Sequence, residues 1–478
     1  MSSASAKGDV TRLPQALDPA VLASMVSPAF LLDNKILPLA MTADLFSVAM
    51  PPPIDHGLVE ALEMAVGRRV SAVEQDAKAV TQGLERLFAG DKSVLQKIVE
   101  DLAPENPDED VDRLKDLASE APVVRLVSHL IEEAIRSRAS DIHIEPYPDR
   151  LAVRLRIDGM LRDQPSPPVS LARAVVSRIK ILANLNIAER RLPQDGRVAQ
   201  AVLGHALDLR VSTVPTVHGE SVVIRLLDQS AGIRPLAELG LRPADEELLK
   251  QLTALPNGMV LVTGPTGSGK TTTLYTALQL IDAGSRKVLT IEDPVEYHMA
   301  RVNQIQVKPQ IGLSFANILR SIVRQDPDVI MVGEMRDYET ADIAVHAALT
   351  GHLVLSTLHT NSAAGAITRL IDMGVEPFLL TSTLRAVIGQ RLVRTLCPHC
   401  KRGCPACGQT GYLGRIGLFE VMPMTDAIRD LTLAKASAEE IDQAARAGGM
   451  ISLKEDGMSK VRAGLTSQEE VRRVVELS

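Results

Sequence analysis

Tryptophan is absent from the 478 residues, and aromatic side chains make up only 2% of them. Aliphatic side chains must therefore fill the cores, and there is little material for the aromatic platforms on which single-stranded nucleic acid stacks. Positive charge is also in deficit. With 52 Lys and Arg against 59 Asp and Glu the net charge is −7, which disfavours nucleic acid as the main partner without excluding a local basic groove. Long apolar runs are missing too. The longest charge-free stretch, Ile343 to Thr368, carries His346, His352, His359 and Asn361 and is too polar for a membrane span. Met1 to Pro14 holds no apolar core of a secretory leader. Cysteine is scarce and confined: all four lie between Cys397 and Cys407. That spacing suits a metal site in a reducing compartment and makes a poor disulfide framework. The remaining composition is that of an ordinary soluble protein, in a chain long enough for about two to four domains.

Residues 1–98 read as a small α/β module. Leu45 to Met50 is a strand stopped by the prolines at 51–53, and Leu58, Leu62 and Ala65 have helical spacing with Gly67 as a left-handed cap. Arg69 to Val73 follows as a strand and Asp76 to Phe88 as a helix. Residues 99–117 form a linker, acidic and proline-bearing from Glu100 to Asp112. Residues 118–238 open on an amphipathic helix with Val123, Val127, Leu130, Ile131, Ala134 and Ile135 on one face. Ile142 and Ile144, then Leu151, Val153, Leu155 and Ile157, alternate as inward strand positions, with Asp158-Gly159 as a hairpin turn. Strands at Leu207 to Val214 and Ser221 to Leu227 complete a mainly antiparallel sheet, so this unit is α+β. In 239–395 short apolar runs alternate with helical patterns, which predicts a doubly wound parallel sheet. A tetracysteine segment, 396–412, precedes a helical part, 413–478, in which Ser437/Glu440, Ser452/Glu455 and Thr466/Glu469 are capping boxes.

Chemistry is carried first by Gly264-Pro265-Thr266-Gly267-Ser268-Gly269-Lys270-Thr271, with Thr272 behind it. The motif follows the apolar strand Met259 to Thr263 and precedes a helix expected to end at Gly284. That is the context of a P-loop, in which glycines let N–H groups wrap phosphate and a helix amino terminus adds positive potential. Lys270 is expected at the β and γ phosphates and the Thr271 hydroxyl on Mg²⁺. The strand Val329 to Val332 ends in Gly333-Glu334, where a second Mg²⁺-associated acid belongs, although no Asp terminates it. Glu292, Asp293 and Glu296 follow the strand Lys287 to Ile291, at the carboxyl end where open α/β sheets bind ligands. His352 and His359 bracket Leu353 to Leu358, with His359 at the strand end and better placed. In the preceding domain Arg210 and Arg225 lie among apolar strand residues, open either to surface ion pairing or to stabilising charge across an interface. Cys397-Pro-His-Cys400 and Cys404-Pro-Ala-Cys407 are paired turns suited to tetrathiolate zinc, with His399 as a possible substitute ligand.

The order of these motifs resembles the secretion ATPases of type II secretion and type IV pilus systems. The likeness rests on the P-loop, Thr290-Ile-Glu-Asp-Pro-Val-Glu296, Gly333-Glu-Met-Arg-Asp337, Thr350-Gly-His352 and Leu358-His359-Thr360. It extends to Ala139-Ser-Asp-Ile-His-Ile-Glu-Pro146, Arg156-Ile-Asp-Gly159, Arg190-Arg-Leu-Pro-Gln-Asp-Gly196 and Leu209-Arg-Val-Ser-Thr213. The resemblance is close from about Ala121 onward and looser over Phe30 to Phe88; within the family the amino-terminal module and the cysteines are most like the type II secretion E component. It implies a RecA-like P-loop core behind a PAS-like α+β domain, ATP and Mg²⁺ as ligands, and zinc on the four cysteines. It implies a homohexamer in which the second domain, with Arg210 and Arg225, packs on a neighbour's nucleotide. Glu296 is then the general base and Glu334 the Walker B acid. Partners implied are the cytoplasmic domain of a bitopic inner-membrane secretion protein (L component) and a polytopic platform protein (F component), with the chain cytoplasmic and peripheral on the inner membrane. In this chain the segment between the cysteine pairs, much longer in the family, is only Lys401-Arg-Gly403. Rival readings are a type IV pilus extension or retraction motor, a nucleic-acid translocase, and a subunit that binds ATP without turnover.

Overall fold

The computed structural model describes residues 121–400 and 402–475, with Ser119 and most of 31–83. In the amino-terminal module β1 (Leu37–Met41) pairs antiparallel with β2 (Leu45–Met50), and helix α1 (His56–Val66) carries the chain to β3 (Arg69–Glu74), parallel to β2. Phe46, Val48, Leu62 and Val80 close a separate small core. The expected cap at Gly67, most of the helix expected over 76–88 and the acidic linker lie outside the described residues.

The second domain is a six-stranded antiparallel sheet in the order β6-β5-β4-β9-β8-β7, covered by helices. Helix α2 (Ala121–Arg136) leads into β4 (Ala139–Pro146), β5 (Leu151–Ile157) and β6 (Met160–Gln164). Asp158 and Gly159 both take positive φ, 49° and 86°, the tight hairpin geometry expected of Asp-Gly. Helix α3 (Ala172–Leu182) then precedes β7 (Gln194–Val202), β8 (His205–Thr216) and β9 (Gly219–Asp228). The inward alternation holds: Ile142, Ile144, Leu151, Val153 and Leu155 are all buried beneath Val123, Val127, Ile131 and Ala134 of α2. β7 escapes sequence reading because its pattern, Gln-Asp-Gly-Arg-Val-Ala-Gln-Ala-Val, is that of a half-exposed edge strand with no apolar run.

Short helix α4 (Leu236–Leu239) and α5 (Pro243–Ala254) lead into the core. Its seven-stranded sheet runs β12-β11-β13-β14-β10-β15-β16, parallel except for the last pair. The strands are β10 (Gly258–Thr263), β11 (Val288–Glu292), β12 (Val302–Gln306), β13 (Val329–Val332), β14 (Leu353–Leu358), β15 (Leu384–Leu396) and β16 (Tyr412–Pro423). Helices α6 (Lys270–Gln279), α7 (Phe315–Ile322), α8 (Tyr338–Leu349), α9 (Ala363–Asp372) and α10 (Pro377–Thr383) cover both faces. Strand β10 shows why the sheet is doubly wound: Met259 and Leu261 enter one apolar core, Val260 and Val262 the other. Helix α6 stops at Gln279, short of Gly284, which sits in the next turn with its N–H on Asp282 Oδ1 at 2.9 Å.

The carboxyl-terminal part is not helical from 413 as expected. β16 pairs with β15 over nearly its whole length, and the cysteine segment is the tip of that hairpin. Helices start only at α11 (Asp426–Leu433), followed by α12 (Ala438–Ala447), α13 (Leu453–Arg462) and α14 (Gln468–Val475). Two of the expected capping boxes form, at Ser437/Glu440 and Ser452/Glu455. The third box does not form, and the cap lies one residue on. Ser467 accepts from Glu470 N at 3.2 Å, because Thr466 instead donates to the Arg394 carbonyl at 2.7 Å. Among the described residues no helix is long and apolar enough to cross a membrane.

Glu470 is drawn from solvent to 1% exposure, where Arg394 donates to it at 2.5 Å and Arg473 at 2.8 and 3.0 Å. Burial alone would raise its pKa, but the two guanidinium partners outweigh that and hold it down to about 2. A depressed carboxyl stabilises the fold above its unfolded value near 4.5. That contribution, about 3 kcal/mol, is lost as pH falls towards 2. Hydrogen exchange should therefore show α14 amides losing protection across that window in the wild type and already unprotected at neutral pH in Glu470→Gln. Equal protection of α14 in the two proteins at pH 7 would contradict the anchoring.

Candidate active site

The P-loop leaves β10 at Gly264 and wraps to the first turn of α6, with Gly264, Gly267 and Gly269 at φ of 154°, 78° and 91°. Gly264 is required by contact as well as conformation. A Cβ there would lie 2.4 Å from the Gln390 carbonyl oxygen on β15. Gln390 also accepts from Thr273 of α6 at 2.8 Å, so strand, loop and helix are locked together. Ser268 is buried, and its hydroxyl has no hydrogen-bond partner among the described residues. Lys270 donates to the loop's own carbonyls, Gly264 at 2.7 Å and Pro265 at 3.1 Å. Burial pulls Lys270 down to about 8, opposed by Glu334 and reinforced by Arg391. An orphaned hydroxyl, a lysine satisfied only by loop carbonyls and a glycine cradle fit a phosphate chain.

The loop forms one wall of a cavity of about 380 Å³ that gathers most of the residues singled out above. Thr266 to Thr272, Glu292, Asp293, Glu296, Glu334 and His359 all line it. Glu334 follows β13 directly, and its carboxylate meets His359 Nε2, at the end of β14, at 3.2 Å and is also paired with Arg336. Thr271 and Glu334 thus face one space, as a Mg²⁺ site would need.

The acidic cluster after β11 separates into three environments. Glu292 is buried and consumed by structure, accepting from Thr290 at 2.6 Å, from Gln304 at 3.1 Å and from the Tyr275 hydroxyl. Tyr275, raised by burial and by Glu292, keeps its proton. Asp293 stays exposed. Glu296 reaches across the interdomain cleft to Arg210 of β8, a two-pronged contact at 3.1 and 2.5 Å. That contact lies within one chain, whereas the resemblance implied action on a neighbour. Arg225, the cross-strand neighbour of Arg210, does not reach Glu296: its side chain, 60% exposed, pairs with Asp141 at 3.1 Å. His352 is also outside it, its ring on the Ala347 carbonyl at 2.8 Å beyond the end of α8.

Sequence reading missed Phe315, Leu392 and Arg415 in the cavity wall. Leu392 and Arg415 arrive on β15 and β16, and nothing in their local pattern marks them. Only the pairing of the long hairpin beside β10 could have found them.

At the hairpin tip the four cysteine sulfurs lie within 4.8 Å of one another. The closest separations are 3.6 Å (Cys400–Cys407), 3.7 Å (Cys404–Cys407) and 3.9 Å (Cys397–Cys404). Zn–S bonds of about 2.3 Å in a tetrahedron place sulfurs about 3.8 Å apart, so the set fits zinc despite the short spacer. Burial raises the Cys407 thiol, but N–H groups of Cys404 and Gly411 donating to its sulfur lower it further, to about 6. His399 is not part of the group.

Residues 116–473 match the type II/IV secretion system protein family and residues 10–94 match the MshEN domain. The type II secretion system protein E of Xanthomonas campestris pv. campestris is 50% identical over 453 residues, covering 89% of this chain and 80% of that protein. The type IV pilus assembly ATPase PilB of Myxococcus xanthus is 43% identical over 471 residues, covering 91% and 83%. The pilus retraction motor PilT, crystallised with bound ADP, superposes with a TM-score of 0.54 at 30% identity, over 72% of this chain and 96% of that one. Sequence and fold together make this chain a member of the type II/IV secretion system protein family.

Proposed function

We propose that the chain is a Mg²⁺-dependent ATPase that powers type II protein secretion. The observation that carries this reading is the convergence of the P-loop, Glu334 with His359, and Glu296 with Arg210 on one interdomain cleft. In it the loop N–H groups, Ser268 and Lys270 hold the phosphates, and Thr271 and Glu334 hold Mg²⁺, which when bound neutralises developing charge on the phosphates. Glu296 takes the proton of the attacking water. Arg210, released from Glu296, turns to the phosphate of its own chain, while Arg225, exposed and paired with Asp141, serves a neighbour in a homohexamer. His359 orients Glu334.

Lys270→Ala should weaken nucleotide binding, and Glu296→Gln should lower phosphate release about a hundredfold or more. Glu334→Gln should retain bound ATP; steady-state release equal to wild type would remove its assignment. Mixed rings separate the arginines. Arg225→Ala subunits mixed with Lys270→Ala subunits should recover part of the activity, whereas Arg210→Ala mixed with Lys270→Ala should not. Recovery in the second mixture would place Arg210 in trans.

The four cysteines are proposed to hold structural zinc. Metal analysis of protein purified without added zinc should find about one equivalent per chain. Less than about a tenth of an equivalent, with four titratable thiols, would leave the cysteines as idle thiols.

The amino-terminal module has its own core and no nucleotide motif. We infer that it docks the motor on the cytoplasmic domain of a bitopic inner-membrane protein, the L component, beside the polytopic F component, which makes the chain peripheral on the inner membrane. Deleting residues 1–112 should leave ATP hydrolysis largely intact and shift the protein from membranes to the soluble fraction. Continued sedimentation with partner-containing membranes would put the dock elsewhere. The kinship with PilB supports pilus extension as the second reading of the stroke.

A further inference from the structure

Helix α6 carries Tyr275, fully buried, one and a half turns beyond the P-loop lysine. The neighbouring core positions of the same helix are Leu274, Ala277 and Leu278, as expected of a chain with 5 tyrosines and no tryptophan. A phenol at such a position brings a hydroxyl into the core, and that hydroxyl has to be satisfied. It uses its whole capacity of one donor and two acceptor sites. It donates to Glu292 and accepts the N–H groups of Glu296 at 3.2 Å and Tyr297 at 3.3 Å.

The segment held in this way has few other restraints. Among the described residues, the main chain of 293–298 makes no hydrogen bond to another main-chain group. Its remaining ties are side-chain ones. Gln304 of β12 donates to the Tyr297 carbonyl at 2.9 Å, and the Tyr297 ring stands edge-on to that of Tyr275 with centroids 5.6 Å apart. The backbone of Glu296 is therefore fixed from the helix whose first turn closes the P-loop. Its carboxylate, by contrast, lies across the cleft on Arg210. A carboxylate that leaves one partner for another can reach a defined place only if its backbone stays still, because then only its own torsions change.

We propose that Tyr275 is a positioning residue for ATP hydrolysis, holding the Glu296 backbone at a set distance from the phosphates through α6. The inference rests on the reading of Glu296 as the group that takes the proton of the attacking water. Lys270, Thr271 and Tyr275 share one rigid helix, and Lys270 and Tyr275 are separated by about 7.5 Å along its axis. Phosphate grip and base position are thus set by a single element. Glu292 supports the arrangement from behind: it accepts from the tyrosine and, on its other oxygen, from Thr290 and Gln304.

Steady-state phosphate release by the full-length protein, measured against ATP concentration, tests the assignment. Tyr275→Phe keeps the ring and removes the anchor, so kcat should fall about tenfold or more while KM and equilibrium binding of a fluorescent ATP analogue stay within about twofold. Thr290→Val takes a different donor from the same buried Glu292 and leaves the Glu296 N–H held, and its kcat should stay within about twofold of wild type. In a Glu296→Gln background Tyr275→Phe should cost less than about a further twofold, because residues that act as a unit are not additive. An unchanged kcat in Tyr275→Phe, beside a large loss in Glu296→Gln, would overturn the positioning role and leave the base in place. Equal losses in Tyr275→Phe and Thr290→Val would assign the effect to the buried carboxylate and overturn it, as would nucleotide binding weakened about tenfold in Tyr275→Phe, which would put the tyrosine in the P-loop's own fold. Wild-type release by Glu296→Gln would remove the base assignment and the positioning role together.

Discussion

The contact between Gly264 and the Gln390 carbonyl sets the geometry of the whole core. The P-loop can keep its shape only because β15 runs parallel to β10 at that point and presents backbone where any side chain on residue 264 would stand. β15 then continues past the loop. Leu392 walls the cavity, Arg394 anchors α14 through Glu470, and Cys397 opens the tetracysteine tip. β16 returns along the same strand with Gly414, Arg415 and Glu420. One hairpin therefore connects the phosphate loop, the cysteine cluster and the carboxyl-terminal helices, and a disturbance at its tip has a short covalent route to the cavity wall.

Behind the cavity the same hairpin supports a buried polar layer. Arg391, only 2% exposed, donates to the Asn361 carbonyl at 2.8 Å, just past His359 and Thr360. Glu420, pushed up by burial, accepts from the Ala363 N–H that opens α9. Thr263 at the end of β10 bonds Thr360 at 2.6 Å. The end of β14, which carries His359, is thus held from three sides by groups whose desolvation makes any loss costly. That is the physical reason a histidine on an exposed strand end can stand at a fixed distance from Glu334.

Most of the fold was legible where period and context agree. The strand–loop–helix around Lys270, the alternating strands of the second domain and the Asp158-Gly159 turn follow from local chemistry alone. The missing pieces are those decided by pairing partners. β7 looks like a polar loop until it pairs with β8, and β16 falls in a stretch expected to be helical until it pairs with β15. The site divides in the same way. Glu334 and His359 could be placed from strand ends, but the sequence could not say which of Glu292, Asp293 and Glu296 is free. The answer depends on Tyr275 and Gln304, which reach Glu292 from another helix and another strand.

Among the described residues, two ties from the sheet of the second domain to the core differ in kind. Asp158, in the β5–β6 turn, accepts from the Gly414 N–H at 2.9 Å, a contact between a rigid turn and a strand backbone. Arg210 to Glu296 joins two side chains, each partly exposed, on either side of the cleft. A backbone-anchored bond fixes position, whereas a partly solvated ion pair is worth little net energy and exchanges readily for a stronger partner. Arg210 is also flanked by Asp208, which binds Arg197 at 2.5 Å, so it stands in a local balance of two acids and two guanidinium groups. In the proposed mechanism a polyphosphate entering the cleft sets several negative charges against the single charge of Glu296 and draws the guanidinium of Arg210 from it. The same exchange would free Glu296 as an acceptor at the moment an anion arrives, so the weak tie is the element that can respond to the ligand while the Asp158 tie holds the domains in register.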